Sequence, residues 1–209
     1  MKKIIIIDYQ CGNLLSLHRA IESIGYTAEL THDSKKILNA THLILPGVGA
    51  FGHAIDKLDK FNLKDTIRSF AFSKKPLLGI CLGMQLLFSK SYEFGIYLGL
   101  DIIEGEVVKL NSSENKIKIP HIGWSEIFPI NLNNNCSKLF SKDLHGKNFY
   151  FVHSYIGKTK DPNKTNFITK YFDISIPAIV SKDNIFGCQF HPEKSGRNGL
   201  VLLKNFCNL

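Results

Sequence analysis

Short apolar runs alternate with amphipathic segments through the first half of this chain, and no other feature restricts its fold as strongly. Four runs have the length of buried strands: Lys3 to Asp8, Thr27 to Leu30, His42 to Leu45 and Pro76 to Ile80. After the first run, apolar residues recur at helical spacing and a glycine follows them: Leu14, Leu17, Ile21, Ile24 and then Gly25. The alternation is typical of a parallel sheet covered by helices.

The second half of the chain has a different character. Further helices are predicted at Ala54 to Lys60, Leu63 to Ser73 and Gly83 to Lys90, but from about Ile102 short β-like stretches follow one another between turn residues. Three such stretches precede a last helix: Tyr150 to Tyr155, Pro177 to Ser181, Ile185 to Gln189, and the helix from about Asn198 to Asn208. We therefore predict one α/β domain over residues 1–209, with a mostly parallel sheet flanked by helices and a mixed or antiparallel β extension.

Composition and charge argue against several classes of protein. Hydrophobic residues make up 44% of the chain and charged residues 21%, and no stretch reaches the roughly 18 apolar residues of a membrane span. The run Ile4 to Ile7 meets Asp8 without a small-residue cleavage site, so it is interpreted as a strand and not as a signal peptide. The formal net charge is +8, but no basic run is interleaved with aromatic residues, which argues against nucleic-acid binding.

The cysteines and histidines do not form the patterns of metal sites. The cysteines are odd in number, widely scattered and never in a C-x-x-C pair: Cys11, Cys81, Cys136, Cys188 and Cys207. This distribution argues against both a disulfide framework and a zinc site. The histidines lack ligand spacing, and no nucleotide-binding fingerprint is present. We expect a soluble protein of the reducing cytoplasm that needs neither a metal nor a cofactor.

The sharpest local signal is the run Gly79-Ile80-Cys81-Leu82-Gly83, which follows an apolar strand and precedes an apolar helical segment. A G-x-nucleophile-x-G run is the pattern of a nucleophile elbow, in which small neighbours allow a tight turn that presents one side chain. The following helix would direct its N-terminal amides toward the sulfur and favour the thiolate. Taken alone, the run is equally compatible with a buried cysteine at a strand end.

A base and an orienting carboxylate follow a later apolar strand. The run Phe186 to Glu193 ends with His191, Pro192 and Glu193. A histidine can take the thiol proton and later protonate a leaving group, while a carboxylate against its other nitrogen fixes the tautomer. The histidines interpreted as ordinary core or surface residues are His18, His32, His42, His53 and His145.

A glycine-rich segment, Leu45 to Gly52, follows another strand of the parallel type. Its glycines permit conformations that direct backbone amides inward, so Val48 and Gly49 are candidates for an oxyanion hole together with the amide of Leu82. The alternative is a glycine-rich turn without chemistry. The phosphate-loop pattern G-x-x-x-x-G-K-[ST] is absent.

Together these motifs resemble the triad glutamine amidotransferases. The runs Gly79 to Gln85 and Gln189 to Glu193 resemble their nucleophile and base motifs, and Leu45 to Gly49 resembles their oxyanion strand. Further segments resemble one branch, the glutaminase subunit of imidazole glycerol phosphate synthase in histidine biosynthesis: Asp8-Tyr9, Gly12 to Leu14, Pro120 to Trp124 and Tyr150 to Tyr155. The resemblance extends from Ile4 to the C-terminal helix and implies a flavodoxin-like sheet with a β extension.

The resemblance implies a role for each matching residue. Cys81 would attack the carboxamide of glutamine to give a glutamyl thioester, with His191 as base and then acid and Glu193 orienting it. Binding of the glutamine head group would fall to Gln85 and Glu93, beside the backbone of Ser154 and Tyr155.

The resemblance also implies a partner. Glutaminases of this family dock on the face of a (β/α)8-barrel cyclase subunit, which holds a phosphorylated ribosyl-aminoimidazole-carboxamide substrate and receives the ammonia. The positions that match the family at or near this interface are Asn13, His121, Trp124 and Lys194; Trp124 is alternatively an ordinary core aromatic residue. In the family the oxyanion strand is misoriented until the partner binds its substrate, and the resemblance implies that Val48 and Gly49 would be part of such a switch.

The chain departs from the family pattern at Gln10-Cys11, where a glycine usually follows Asp-Tyr. These positions lie near the partner-facing end of the first strand, so two partners stay open: the histidine-pathway cyclase, or an amidotransferase that builds amidino groups on bacterial surface sugars. A stand-alone cysteine hydrolase and a non-catalytic binding module are further alternatives. The glutamine-site residues Gln85 and Glu93 argue against the first of these, and the complete triad argues against the second.

Overall fold

The computed structural model describes residues 2–111, 117–131, 139 and 144–209. Its strands are β1 (Ile4–Ile7), β2 (Ala28–Thr31), β3 (His42–Leu45), β4 (Leu77–Ile80), β5 (Phe88–Ser91), β6 (Tyr97–Leu98), β7 (Ile103–Lys109), β8 (His121–Pro129), β9 (Lys147–His153), β10 (Tyr155–Thr159), β11 (Thr165–Tyr171), β12 (Ile174–Lys182) and β13 (Ile185–Cys188). Its helices are α1 (Leu14–Ser23), α2 (Ser34–Leu38), α3 (Phe51–Lys60), α4 (Lys64–Phe72), α5 (Leu82–Leu86) and α6 (Gly196–Asn208).

Nine strands form one mixed sheet in the order β2-β1-β3-β4-β13-β12-β11-β8-β9. The strands from β2 to β13 are parallel, as in a flavodoxin-like sheet, and the remaining strands continue the sheet through antiparallel pairs. The predicted fold, a mostly parallel sheet flanked by helices with a mixed β extension, is confirmed. The sequence does not predict the second, smaller sheet, which has the order β10-β7-β5-β6.

Helices cover both faces of the parallel strands. All four isoleucines of β1 are at most 2% exposed, because alternate side chains point to opposite faces and each face is packed. Ile4 and Ile6 belong to a core that includes residues of α1 and α6, whereas Ile5 and Ile7 belong to a core that includes residues of α3 and α4. No helix in the described part of the chain is long and apolar enough to cross a membrane.

One helix is shorter than the sequence predicts. The predicted helix from Gly83 to Lys90 is wrong beyond Leu86, where α5 ends and the chain enters β5. The Leu86 carbonyl accepts a hydrogen bond from the backbone amide of residue 100, and the Leu87 carbonyl accepts from the amides of residues 102 and 103, so neither bonds to a further helical turn. The ring of Phe88 then packs so closely on Gly157 that a Cβ at the glycine would lie 2.4 Å from Cε2 of the ring. These long-range contacts override the helical spacing of the apolar run.

The cysteines in the described ranges are free thiols with buried side chains, at Cys11, Cys81, Cys188 and Cys207. Cys136 lies outside the described residues.

Candidate active site

Three neighbouring parallel strands end at the same edge of the large sheet. After β3 the chain runs into residues 46–49, after β4 it reaches Cys81, and after β13 it reaches His191. The pairing of Cys188 with Ile80 places the ends of β4 and β13 level with each other. In an open α/β sheet, the carboxyl edge of the strands is where ligands bind, so the fold brings the three predicted motifs to one site.

Cys81 occupies a strained turn between β4 and α5. Its φ is 53° and its ψ is −111°, a conformation that side-chain-bearing residues rarely adopt. Backbone bonds hold it on both sides: its amide donates to the Cys188 carbonyl at 2.8 Å, and its carbonyl accepts from the Gln85 amide at 3.1 Å. The flanking glycines are required by close packing, since a Cβ at Gly83 would lie 1.8 Å from the Leu45 carbonyl oxygen. The geometry is that of a nucleophile elbow.

His191 and Glu193 form a buried pair. Nδ1 of the imidazole lies 2.7 Å from Oε1 of the carboxylate, and the two side chains are 3% and 4% exposed. Burial by itself lowers the pKa of His191, but the neighbouring Cys81 and Glu193 outweigh burial and raise it to about 10. Nε2 is buried and has no hydrogen-bond partner within the described residues. The ring therefore favours the imidazolium form and leaves Nε2 for a reaction partner.

The backbone of His191 is fixed by a residue that the sequence does not single out. Oγ of Ser195 donates to the His191 carbonyl at 2.6 Å and accepts from the Tyr150 amide at 3.0 Å. The His191 amide in turn donates to the Tyr150 carbonyl at 2.9 Å. Ser195 thus ties the histidine to β9. No local motif marks it, because its partner Tyr150 is 45 residues away in the chain and is brought to it only by the fold.

The segment after β3 is held from beneath by Tyr9. The buried Tyr9 hydroxyl donates to the Pro46 carbonyl at 2.7 Å, and it leaves no room at Gly47, where a Cβ would lie 2.6 Å from the hydroxyl oxygen. Further along, Gly49 has a φ of +101°, which requires glycine, and Val48 is 41% exposed. One end of the predicted oxyanion strand is therefore anchored, whereas the other end has the backbone freedom of glycine.

A cleft of about 390 Å³ opens above Cys81. The predicted residues that line it are Asn13, Val48, Gly49, Cys81, Leu82, Gln85, Glu93, Ser154, Tyr155, His191 and Lys194. Glu193 lies outside the lining and contacts His191 from behind. A larger cavity of about 610 Å³ lies at the opposite, amino ends of β4 and β13, between residues such as Pro76 and Ile185, and holds none of the predicted site residues.

Two of the lining polar side chains are fixed by the backbone. Nε2 of Gln85 donates to the Tyr155 carbonyl at 2.9 Å. Oε2 of Glu93 accepts from the Phe51 amide at 2.7 Å and so caps the first turn of α3, which lacks a side-chain cap of its own. Burial raises the pKa of Glu93 and the Phe51 hydrogen bond partly offsets this. Both side chains are held at the wall of the cleft.

The predicted interface residues differ in their exposure. Trp124 is 57% exposed on β8, two positions from the similarly exposed Ile122, so the alternative interpretation of Trp124 as a core residue is wrong. The side chain of His121 is 1% exposed, so its predicted place at or near the interface is beneath the surface of β8. It is bonded to His153 Nε2 at 3.1 Å and to Ser125 Oγ at 2.9 Å, and burial lowers its pKa to about 4. The alternation of β8 turns this side chain inward.

Comparison with known proteins gives a consistent result. The profile of the class-I glutamine amidotransferase family matches residues 5–208. The chain is 48% identical over 202 residues to the imidazole glycerol phosphate synthase subunit HisH of Caldanaerobacter subterraneus subsp. tengcongensis, which covers 96% of this chain and 95% of that protein. It is 45% identical to the subunit of the same name from Lactococcus lactis subsp. lactis, with 99% and 98% covered. It is 40% identical to subunit HisH 1 of Legionella pneumophila (strain Paris), with 100% of both covered.

Solved structures share the fold at low sequence identity. PurLQS from Thermotoga maritima superposes with a TM-score of 0.71 at 18% identity, over 100% of this chain and 99% of that chain. The glutaminase domain of Trypanosoma brucei CTPS superposes with a TM-score of 0.65 at 13% identity, over 100% and 94%. At these identities the likeness concerns the fold alone.

Proposed function

This chain belongs to the class-I glutamine amidotransferase family and, within it, to the HisH subunits of imidazole glycerol phosphate synthase, and from this premise we propose that Cys81, His191 and Glu193 hydrolyse glutamine to glutamate and ammonia. One observation carries the assignment of these residues. Adjacent parallel strands end in a cysteine on a strained elbow and in a buried histidine–carboxylate pair joined at 2.7 Å. A nucleophile, a base and an orienting group are the parts that acyl transfer needs.

In the first half of the reaction, Sγ of Cys81 attacks the carboxamide carbon of glutamine and forms a C–S bond. The oxygen becomes an oxyanion, which accepts hydrogen bonds from the Leu82 amide and from amides of Val48 and Gly49. When the tetrahedral intermediate collapses, the C–N bond breaks and the His191 imidazolium gives its proton to the leaving ammonia. The product on the enzyme is a glutamyl thioester.

In the second half, neutral His191 takes a proton from water as the water oxygen attacks the thioester carbon. The C–S bond breaks, glutamate leaves and the pair of thiolate and imidazolium is restored. Glu193 accepts from Nδ1 throughout, so that Nε2 is always the nitrogen that faces the cleft. The raised pKa of His191 keeps the acid needed in the first half charged at neutral pH.

Binding of glutamine is assigned to the walls of the cleft. One oxygen of Glu93 is occupied by the Phe51 amide, which leaves the other for the α-ammonium group of the substrate. Gln85 and the backbone of Ser154 and Tyr155 supply further polar groups, and all line the same cleft as Cys81. A polar match at both ends of the substrate favours glutamine over an apolar acyl donor.

The partner is assigned as the (β/α)8-barrel cyclase subunit, which makes imidazole glycerol phosphate and an aminoimidazole-carboxamide ribonucleotide in histidine biosynthesis. Two exposed apolar side chains of β8, Ile122 and Trp124, offer an anchor beside the cleft, and Asn13 and Lys194 lie at its rim. An aromatic anchor with a polar rim is the usual anatomy of a protein interface.

The test is glutamate release by the purified chain alone, with the barrel protein encoded nearby in the same genome, and with that protein plus the imidazole-carboxamide ribonucleotide substrate. We expect strong activation only when both are added. Activation by the barrel protein that is indifferent to this nucleotide would favour the surface-sugar partner. Full turnover by the isolated chain would contradict the switch at Val48 and Gly49 and point to a free-standing hydrolase.

The alkaline limb of the pH profile reports the state of His191. The imidazolium is required for release of ammonia and is present below its pKa of about 10, so kcat/KM should hold through neutral pH and fall as the pH rises through about 10. Glu193→Gln removes one of the groups that raise this pKa, so the alkaline limb should move to lower pH by a unit or more. The measurement is kcat/KM for glutamate release of the assembled enzyme from pH 6 to 11.

A matched control is Glu22→Gln. Glu22 lies 3.4 Å from Nδ1 of His18 on the surface of α1, so it is also a carboxylate beside a histidine but away from the cleft. Its alkaline limb should coincide with that of the unaltered chain. If the alkaline limb of the kcat/KM profile did not shift in Glu193→Gln, His191 would not be the acid that protonates the leaving ammonia.

A further inference from the structure

The side chain of Gln189 is fully buried between the nucleophile and the glutamine-binding wall. Its Nε2 lies 3.8 Å from Cys81 Sγ, and its Oε1 accepts from Nε2 of Gln85 at 3.1 Å. It has no exposed surface. A carboxamide removed from water is costly unless both of its ends are hydrogen-bonded, and here the acceptor for the nitrogen is a sulfur.

The direction of this amide follows from its neighbours. The carbonyl of Tyr155 can only accept, so the Gln85 atom that faces it at 2.9 Å must be the nitrogen. The same nitrogen then donates its second proton to Gln189, whose facing atom must be the oxygen. The nitrogen of Gln189 is therefore left to point at Cys81 Sγ.

A second contact at the sulfur acts in the opposite sense. The thiol can donate to the Val152 carbonyl at 3.9 Å, a contact that a thiolate would lose. The Gln189 N–H gains strength when the sulfur is charged, because hydrogen bonds to ionised acceptors are stronger than those to neutral ones. Gln189 thus distinguishes the two protonation states of Cys81 in favour of the reactive one.

We propose that the Gln189 carboxamide is a further catalytic group, which donates to Cys81 Sγ and stabilises the thiolate while its oxygen holds Gln85 at the substrate wall. This inference rests on the proposed function for its place in the reaction, but the contact with Sγ can be tested without glutamine. Loss of Gln189 should disfavour the thiolate relative to the thiol and loosen the glutamine site through Gln85.

The test is the pH dependence of alkylation of Cys81 by iodoacetamide in the purified full chain, with the modified peptide quantified by mass spectrometry. Gln189→Glu keeps the oxygen that accepts from Gln85 but replaces the donor with a carboxylate oxygen beside the sulfur. We expect the midpoint of its profile to rise by about one pH unit or more, which lowers the rate on the acidic side of the midpoint about tenfold and leaves the alkaline plateau unchanged. Gln189→Met, which loses both contacts, should shift the midpoint in the same direction.

Gln10→Glu is the matched control, since Gln10 is exposed and its Oε1 contacts Lys57, a contact that glutamate keeps. Its profile should coincide with that of the unaltered chain. The Gln189→Glu shift includes repulsion between the new carboxylate and the thiolate, so the neutral Gln189→Met variant decides the test. An unchanged midpoint in Gln189→Met, or an equal loss of rate at every pH, would overturn the proposal. A chain without glutaminase activity but with the shifted midpoints would instead contradict the proposed function alone.

A second measurement uses the unaltered chain, so that the proposal can be tested even if the Gln189 variants do not fold. The side-chain amide proton resonances of Gln189 should move with pH in the unaltered chain at the same midpoint as alkylation. They should stay constant in Cys81→Ser, whose hydroxyl does not ionise in this range. Resonances that do not follow the alkylation midpoint would also overturn the proposal.

Discussion

Cys81→Ala is expected to lower kcat for glutamate release by at least about 10⁴-fold in the assembled enzyme, with KM changed far less. The variant removes the atom that is proposed to form the thioester, and the thiol on the neighbouring strand cannot replace it. That thiol, Cys188, is fully buried and its Sγ is directed at the Gly79 carbonyl at 3.8 Å. The measurement is single-turnover and steady-state glutamate release with the cyclase partner and its ligand present.

The matched control for this prediction is Cys207→Ala. Cys207 is also a buried free thiol, but it lies near the end of α6, and burial raises its pKa to about 12, partly offset by Lys2. Removing it should leave kcat within a few-fold of the unaltered enzyme. Glutamate release that survived Cys81→Ala would exclude a thioester mechanism. If kcat fell equally in Cys81→Ala and Cys207→Ala, both cysteines would matter only because they support folding.

The local sequence predicts those parts of the fold and of the candidate site that depend on residues close together in the chain. The isoleucines of β1 indicate a strand buried on both faces, and the two glycines around Cys81 indicate an elbow, because each pattern satisfies a local packing requirement. The same logic failed after Leu86. There the apolar run has helical spacing, yet backbone pairing with residues about fifteen positions later makes it a strand.

The residues that the sequence did not reveal are those whose partners are distant along the chain. Tyr9 supports Pro46, Ser195 joins His191 to Tyr150, and Gln189 faces Cys81. Gln189 lies two residues before His191 in the same run, but its position in that run does not predict a role for its side chain. Such contacts follow from the order of the strands in the sheet, and that order cannot be read from local patterns in a single sequence.

The order of the strands also explains how one edge of the large sheet can hold both a fixed pair of residues and an adjustable backbone segment. β4 and β13 hold Cys81 and His191, the proposed nucleophile and base, whereas the segment after β3 is anchored by Tyr9 at Pro46 and ends in the glycine conformation at Gly49. A rigid triad beside an adjustable oxyanion donor would allow the chemistry to be complete only in one backbone state. The proposed dependence on a partner requires such a division.

Gly83→Ala is the substitution expected to damage the fold most. A Cβ at this position would lie 1.8 Å from the Leu45 carbonyl oxygen, 2.7 Å from its carbonyl carbon and 3.1 Å from the Pro46 carbonyl carbon. These atoms are backbone at the end of β3 and have no rotamer to change, so β3 and the start of α5 must separate. We expect the free energy of unfolding to fall by about 3 kcal/mol or more, measured by urea denaturation of the isolated chain.

Gly25→Ala is the control that distinguishes the clash at Gly83 from the general cost of replacing a glycine. Gly25 has a φ of +87°, so alanine there is strained, but no atom of the described residues lies within 4 Å of the added Cβ. Its expected cost is about 1–2 kcal/mol, with no loss of glutamate release in the assembled enzyme. Because α5 carries the Leu82 amide beside Cys81, Gly83→Ala should also abolish activity at temperatures where the chain is still folded. Similar losses of stability in the two variants would show that β3 and α5 can move apart easily, and then the elbow could not hold Cys81 in its strained conformation.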